Sequence, residues 1–176
     1  MIAPDTAPTG AASTEPLFRR VLAGSANLTF GLVGERLGHS HSPRIHELLG
    51  SVPYERVEVP RDEVGAFFAA RLYRGLNVTI PYKCDAARAA DVRSEAVERL
   101  GNANTLVVRE DGTLFADNTD YHGFSRQLDL IHANVAGQAC LVLGGGGAAA
   151  TVRAVLADRG ASLVVSASRK GELTFA

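Results

Sequence analysis

From about residue 28 onward, short apolar runs alternate with amphipathic stretches. Leu28-Thr29-Phe30-Gly31-Leu32-Val33 is apolar and stops at Gly34, the pattern of a buried strand. Ser42-Pro43 then opens a helix, with Ser42 as N-cap and Pro43 at the first helical position, and Gly50 closes it. Tyr54 to Val59 alternates with period two and predicts a second strand. Asp62 is placed to cap a helix carrying Val64, Phe67, Phe68 and Leu72 on one face and ending near Gly75. Leu76 to Ile80 is a third strand closed by Pro81, and short helices are expected over 82–90 and 94–100. Asn104–Val108 and Thr113–Ala116 flank Glu110-Asp111-Gly112, a hairpin signal. A helix from Thr119 to His132 leads to a strand over 139–143, a helix over 147–158 and a strand over 162–166.

This order predicts an α/β protein. Residues 27–134 form an α/β domain whose mostly parallel sheet includes an antiparallel hairpin. Residues 135–176 form the first part of a Rossmann dinucleotide-binding domain. Residues 1–26 read as a disordered tail, because the start of the chain is rich in Ala, Thr, Pro and Ser.

Composition changes this picture little. With 176 residues, the chain holds one domain, or one and part of another. The net charge of −1, with both signs interspersed, gives no case for nucleic acid or an acidic membrane surface as partner. The start lacks the basic and apolar regions of a secretory signal, and no run approaches the ~20 apolar residues of a membrane span. Cys84 and Cys140 lie far apart, so the expectation is a reducing cytoplasm, with Cys84 a small packing residue.

Gly144-Gly145-Gly146-Gly147-Ala148-Ala149 follows the apolar run Ala139–Leu143 and fits a dinucleotide phosphate loop. Gly144 allows the tight turn, Gly146 the approach of a pyrophosphate, and Ala149 close helix–strand packing. The competing reading is plain helix–strand packing around small residues. Ser168-Arg169-Lys170 stands where a carboxylate marks NAD enzymes, and a guanidinium there suits the extra phosphate of NADP. Alternatively it is a basic pair in a solvated loop. Only 29 residues follow Gly147, too few for two βαβαβ halves.

In the first domain, Ser40 and Ser42 are two residues apart, so in an extended segment both hydroxyls face one way. They suit a carboxylate, with N-capping by Ser42 the simpler alternative. His39, His41 and His46 have no accompanying Cys or carboxylate ligands, and no metal site is expected. Lys83 sits in a first helical turn, where a cation opposes the helix dipole by ~0.3–1 kcal/mol. Asp120 is a helix-start acid whose ordinary role is capping.

Taken in order, these segments resemble the shikimate dehydrogenase family, including its quinate/shikimate relatives. The resemblance rests on His39-Ser40-His41-Ser42-Pro43, Gly75–Lys83, Gly101-Asn102-Ala103-Asn104-Thr105, Asp117-Asn118-Thr119-Asp120 and the glycine loop, over about residues 28–176. It implies a substrate domain, an NADP domain and a cleft between them, with reversible reduction of 3-dehydroshikimate to shikimate on the route to chorismate and aromatic amino acids. It also implies that Ser40 and Ser42 hold the substrate carboxylate and that Thr79, Lys83, Asn104 and Asp120 hold the ring hydroxyls. Lys83 is then the acid/base and Asp120 its partner. Gly144, Gly145, Gly146, Gly147, Ala148, Ser168, Arg169 and Lys170 bind the cofactor.

Three departures qualify the expectation. Gly101-Asn102-Ala103-Asn104-Thr105 replaces the family's Gly-Ala-Val-Asn-Thr, and Ser168-Arg169-Lys170 replaces Asn-Arg-Thr. The family's remaining cofactor-domain elements and returning C-terminal helices have no counterpart in the sequence, so the chain reads as C-terminally truncated. The alternatives are a quinate or broader cyclitol dehydrogenase and a non-catalytic shikimate binder.

Overall fold

The computed structural model describes residues 15–50, 53–169 and 173–174. Its first unit runs α1 (Leu17–Leu22), β1 (Phe30–Gly34), α2 (Ser42–Leu48), β2 (Tyr54–Glu58), α3 (Val64–Ala70), β3 (Gly75–Val78) and α4 (Lys83–Ala89). It continues through β4 (Val92–Arg93), α5 (Glu95–Leu100), β5 (Thr105–Val108) and β6 (Leu114–Asp117). Then come α6 (Thr119–Leu130), β7 (Ala139–Leu143), α7 (Gly147–Asp158) and β8 (Leu163–Ala167).

Six strands form one sheet in the order β2-β1-β3-β5-β6-β4. β1 pairs parallel with β2 and β3, β4 pairs parallel with β6, and the β5–β6 hairpin is antiparallel, as is β3–β5. β7 and β8 form a separate parallel pair. The α/β class with a mostly parallel sheet stands.

Strand direction decides where the chemistry gathers. β1, β3 and β6 end at one edge of the sheet, and β5 begins there, since Asn77 is opposite Thr105 and Thr105 opposite Asp117. The segments carrying Ser40, Thr79–Lys83, Asn104 and Asn118–Asp120 all emerge at that edge. Ligands of open α/β sheets characteristically bind beyond the carboxyl ends of the strands.

The main core packs Phe18, Val33, Phe67, Phe68, Leu76, Tyr82, Leu106 and Leu114. A second, smaller core joins Leu128 of α6 to Val142, Ala149, Val155 and Leu156, with Tyr121 and Phe124 against it. Thus α6 reaches from the first unit into the second.

Several expectations are corrected. The tail expected over 1–26 is interrupted by α1, because Phe18 and Val21 are three residues apart and both are buried in the main core. Ser42 is the first residue of α2 rather than its cap, and its backbone N–H donates to Ser40 Oγ at 3.2 Å. Glu63, not Asp62, precedes α3, which stops at Arg71 in the left-handed region (φ 52°) and leaves Leu72 half exposed. Cys84 is exposed, so the packing role fails.

Candidate active site

Lys83 opens α4, directly after Tyr82. The Tyr82 ring is fully buried and its hydroxyl donates to Val59 O at 2.6 Å. Burial raises the phenol's pKa, so it remains a neutral donor. The tyrosine anchors the start of the helix, and the Lys83 carbonyl accepts from Ala103 N at 2.8 Å. Lys83 Nζ meets Asp120 Oδ2 at 2.6 Å, with the lysine side chain 18% exposed and the aspartate 42%. The expected pair therefore forms.

Asp120 is held through its neighbour. Thr119 N donates to Asn104 Oδ1 at 2.9 Å, and Asn104 Nδ2 donates to Thr119 Oγ1 at 3.0 Å. Thr105 Oγ1 also donates to Asn104 Oδ1, at 3.0 Å. Asn104 is buried, and this ring of bonds ties β5 to the first turn of α6. Asn118 is fully buried and donates to Asn102 Oδ1 at 2.8 Å. Asn102, Asn118 and Thr119 were not predicted as site-building residues. The signal was the density of Asn and Thr in two short segments, whose bonding distance the sequence did not reveal.

Ser40 Oγ donates to Ser42 Oγ at 3.2 Å, so the two hydroxyls meet, but they do so across a turn at His41 (φ −91°, ψ −1°) and not along the extended segment expected. Thr79 follows β3 and donates its N–H to Val33 O at 2.9 Å, which ties it to the end of β1. Gly34 at that point is required by close approach. A Cβ there would lie 2.6 Å from Leu37 Cδ2 and 2.9 Å from Thr79 Cγ2.

A second cluster, not predicted, lies beside these residues. The Tyr54 hydroxyl donates to Asn77 Oδ1 at 2.7 Å, and His46 stacks on the Tyr54 ring at 3.9 Å. Burial pushes the Tyr54 phenol up to about 12.

The glycine loop faces this site. Gly144 has φ 141°, a conformation that favours glycine, and its N–H donates to Ala167 O at 2.8 Å. A Cβ on Gly145 would lie 3.0 Å from Ser168 Oγ. Around Gly146 there is open space, and its side chain offers no cap to α7, so the first N–H groups of α7 have no side-chain cap. That is the geometry needed to approach a pyrophosphate. The start of α7 comes close to the lysine: a Cβ on Gly147 would lie 3.8 Å from Lys83 Cδ. Between them is a cavity of about 360 Å³ lined by Thr79, Lys83, Gly144, Gly146, Gly147 and Ala148. A groove of about 310 Å³ adjoins it between α6 and α7, lined by Asp120, Phe124, Ala148 and Val152. Arg169 is exposed beyond β8, and Lys170 lies outside the described residues. Among the described residues there is no cluster of His, Cys, Asp or Glu able to hold a metal. None of their helices is long and apolar enough to cross a membrane.

An α/β unit whose strand ends face the opening βαβ of a dinucleotide-binding fold defines the class. Residues 32–106 match the shikimate dehydrogenase substrate-binding domain. The NADP(+) shikimate dehydrogenase of Clostridium perfringens is 36% identical over 154 residues, covering 83% of this chain and 56% of that protein. The one from Chromohalobacter salexigens is 44% identical over 131 residues, covering 70% and 47%. The Thermus thermophilus shikimate 5-dehydrogenase, solved with NADP(H) and shikimate, superposes with a TM-score of 0.70 at 33% identity, covering 81% of this chain and 56% of that one. The chain is therefore a relative of the shikimate dehydrogenases across the part it spans. It spans about half the length of the relatives it matches.

Proposed function

We propose that this chain carries the substrate site and the phosphate loop of an NADP-dependent shikimate dehydrogenase. The carrying observation is the Lys83–Asp120 pair, 2.6 Å apart, beneath the glycine loop. Ser40 and Ser42 bind the substrate carboxylate, and Thr79, Asn104 and Asp120 orient the ring hydroxyls. In reduction the Lys83 ammonium gives its proton to the ketone oxygen, and in oxidation the amine takes the hydroxyl proton. Such transfer contributes ~10²–10⁴-fold. A bound nicotinamide supplies the hydride. Gly144–Ala148 suit its pyrophosphate, and Ser168, Arg169 and Lys170 the adenosine phosphate. The compartment is proposed to be the cytoplasm.

Calorimetric titration with shikimate tests the substrate site. Binding is expected for the parent chain, with at least a tenfold loss in the Ser40→Ala/Ser42→Ala double variant. Formation of NADPH from NADP+ and shikimate, abolished by Lys83→Ala, tests the reaction. A chain that neither binds shikimate nor produces NADPH would overturn the proposal.

A further inference from the structure

Helix α7 carries the glycine loop at one end and Asp158, followed by Arg159, at the other. Asp158 accepts two hydrogen bonds, from the Arg99 guanidinium on α5 and from the Tyr121 hydroxyl on α6. These contacts, the Arg99 bond first, hold the Asp158 carboxyl below the usual carboxylate range. Arg159 donates to Asp129 Oδ1 at 2.6 Å and to Ser125 O at 2.8 Å, both on α6. Among the described residues, no hydrogen bond joins the glycine loop itself to the first unit. Helix α7 is thus tied by polar contacts at the end remote from the chemistry.

Packing between α6 and α7 does not fix their relative position so closely. Tyr121, Phe124 and Leu128 meet Val152, Val155 and Leu156 through apolar contacts. Such contacts are non-directional and tolerate small rotations. A carboxylate shared by two donors on two different helices is directional. We propose that Asp158, held between Arg99 and Tyr121, is a positioning residue that sets the approach of the glycine loop to Lys83.

The geometry amplifies small changes. At 1.5 Å per residue, the helix is about 18 Å long, so a rotation of about 5° at Asp158 moves the loop by roughly 1.5 Å. Misplacement of about 1 Å is worth on the order of 10²-fold in a reaction that depends on donor–acceptor geometry. Arg99 is about half exposed, so the pair's Coulomb energy is small and salt-screened. Its contribution is orientation. The catalytic consequence rests on the proposed function, whereas the positioning itself does not.

Pulsed dipolar spectroscopy separates the two. Spin labels go on cysteines introduced at Glu110 and Arg169, both exposed, the second at the glycine-loop end of the β7–β8 pair, with Cys84 and Cys140 replaced by serine. The parent is expected to give one narrow distance distribution. Asp158→Asn and Arg99→Gln should broaden it or shift its mean by about 1.5 Å, while Arg99→Lys, which keeps the charge and a donor, should restore most of the parent distribution. Tyr121→Phe removes one donor without altering charge and should broaden it less, giving a readout if the stronger variants fold poorly. An unchanged distribution in Asp158→Asn, or equal broadening in Arg99→Lys and Arg99→Gln, would overturn the proposal. Shikimate titration of the parent is scored separately. Its failure would sink the functional reading and leave the distance result standing.

Discussion

Asn104 illustrates how much one side chain can organise. Its oxygen accepts from Thr119 N and Thr105 Oγ1, and its amide nitrogen donates to Thr119 Oγ1, all within 3.0 Å. Removing the side chain leaves the Thr119 N–H without its partner beside a buried position, a loss of about 1–3 kcal/mol. Asn104→Ala is therefore expected to lower the denaturation free energy by that amount and to weaken shikimate binding, because Asp120 follows Thr119 directly. Asn104→Asp keeps an acceptor for Thr119 N and should bind shikimate better than the alanine variant. Tyr82→Phe is a contrasting case. It orphans the Val59 carbonyl at a fully buried site and should cost about 1–3 kcal/mol in urea denaturation. The sequence identified Asn104 by its motif. Only the structure showed that its amide spans β5 and α6.

At the scale of elements, periodicity located the central strands because their apolar runs are bounded by Gly or Pro, as β1 is by Gly34 and β3 by Pro81. It missed β4, since two residues carry no period, and α1, whose six residues follow a stretch of tail-like composition. It also carried α3 one turn too far, because the left-handed conformation of Arg71 has no sequence marker. Arg71 and β4 meet at Asp91. This carboxylate accepts from Leu114 N at 2.7 Å and pairs with Arg71 at 2.8 Å, fixing the start of β6 against α3. The Leu114 bond first, and then Arg71, lower its pKa below 3.8. A depressed folded-state value means that this stabilisation is complete above the unfolded value and is lost as the pH falls below 3.8 through the folded pKa. Asp111, Asp129 and Asp158 are shifted in the same direction and add to the same acid limb. Thermal melts of Asp91→Asn should show lower stability at neutral pH and a shallower decline on acidification. An unchanged acid limb would rule the contact out as a stabilising one.

At the scale of the molecule, the two units differ in how well their sheets are covered. Helix α7 covers one face of the β7–β8 pair, where Val142 and Val164 meet Val155 and Leu156. The opposite face carries Leu141, Leu143 and Leu163, exposed by 62%, 73% and 55%. Period-two alternation and the Ala139–Leu163 register put these three leucines on one surface. Burying a leucine side chain is worth about 1.5–3 kcal/mol, so joining two such surfaces offers enough free energy for weak association. This chain is therefore expected to self-associate with rising concentration in sedimentation velocity. Leu141→Glu combined with Leu163→Lys should return it to monomer without lowering its melting temperature by more than a few degrees, because neither side chain belongs to the core beneath α7. A parent chain that stays monomeric throughout the concentration series would show that three exposed leucines are too small a surface to hold two copies together.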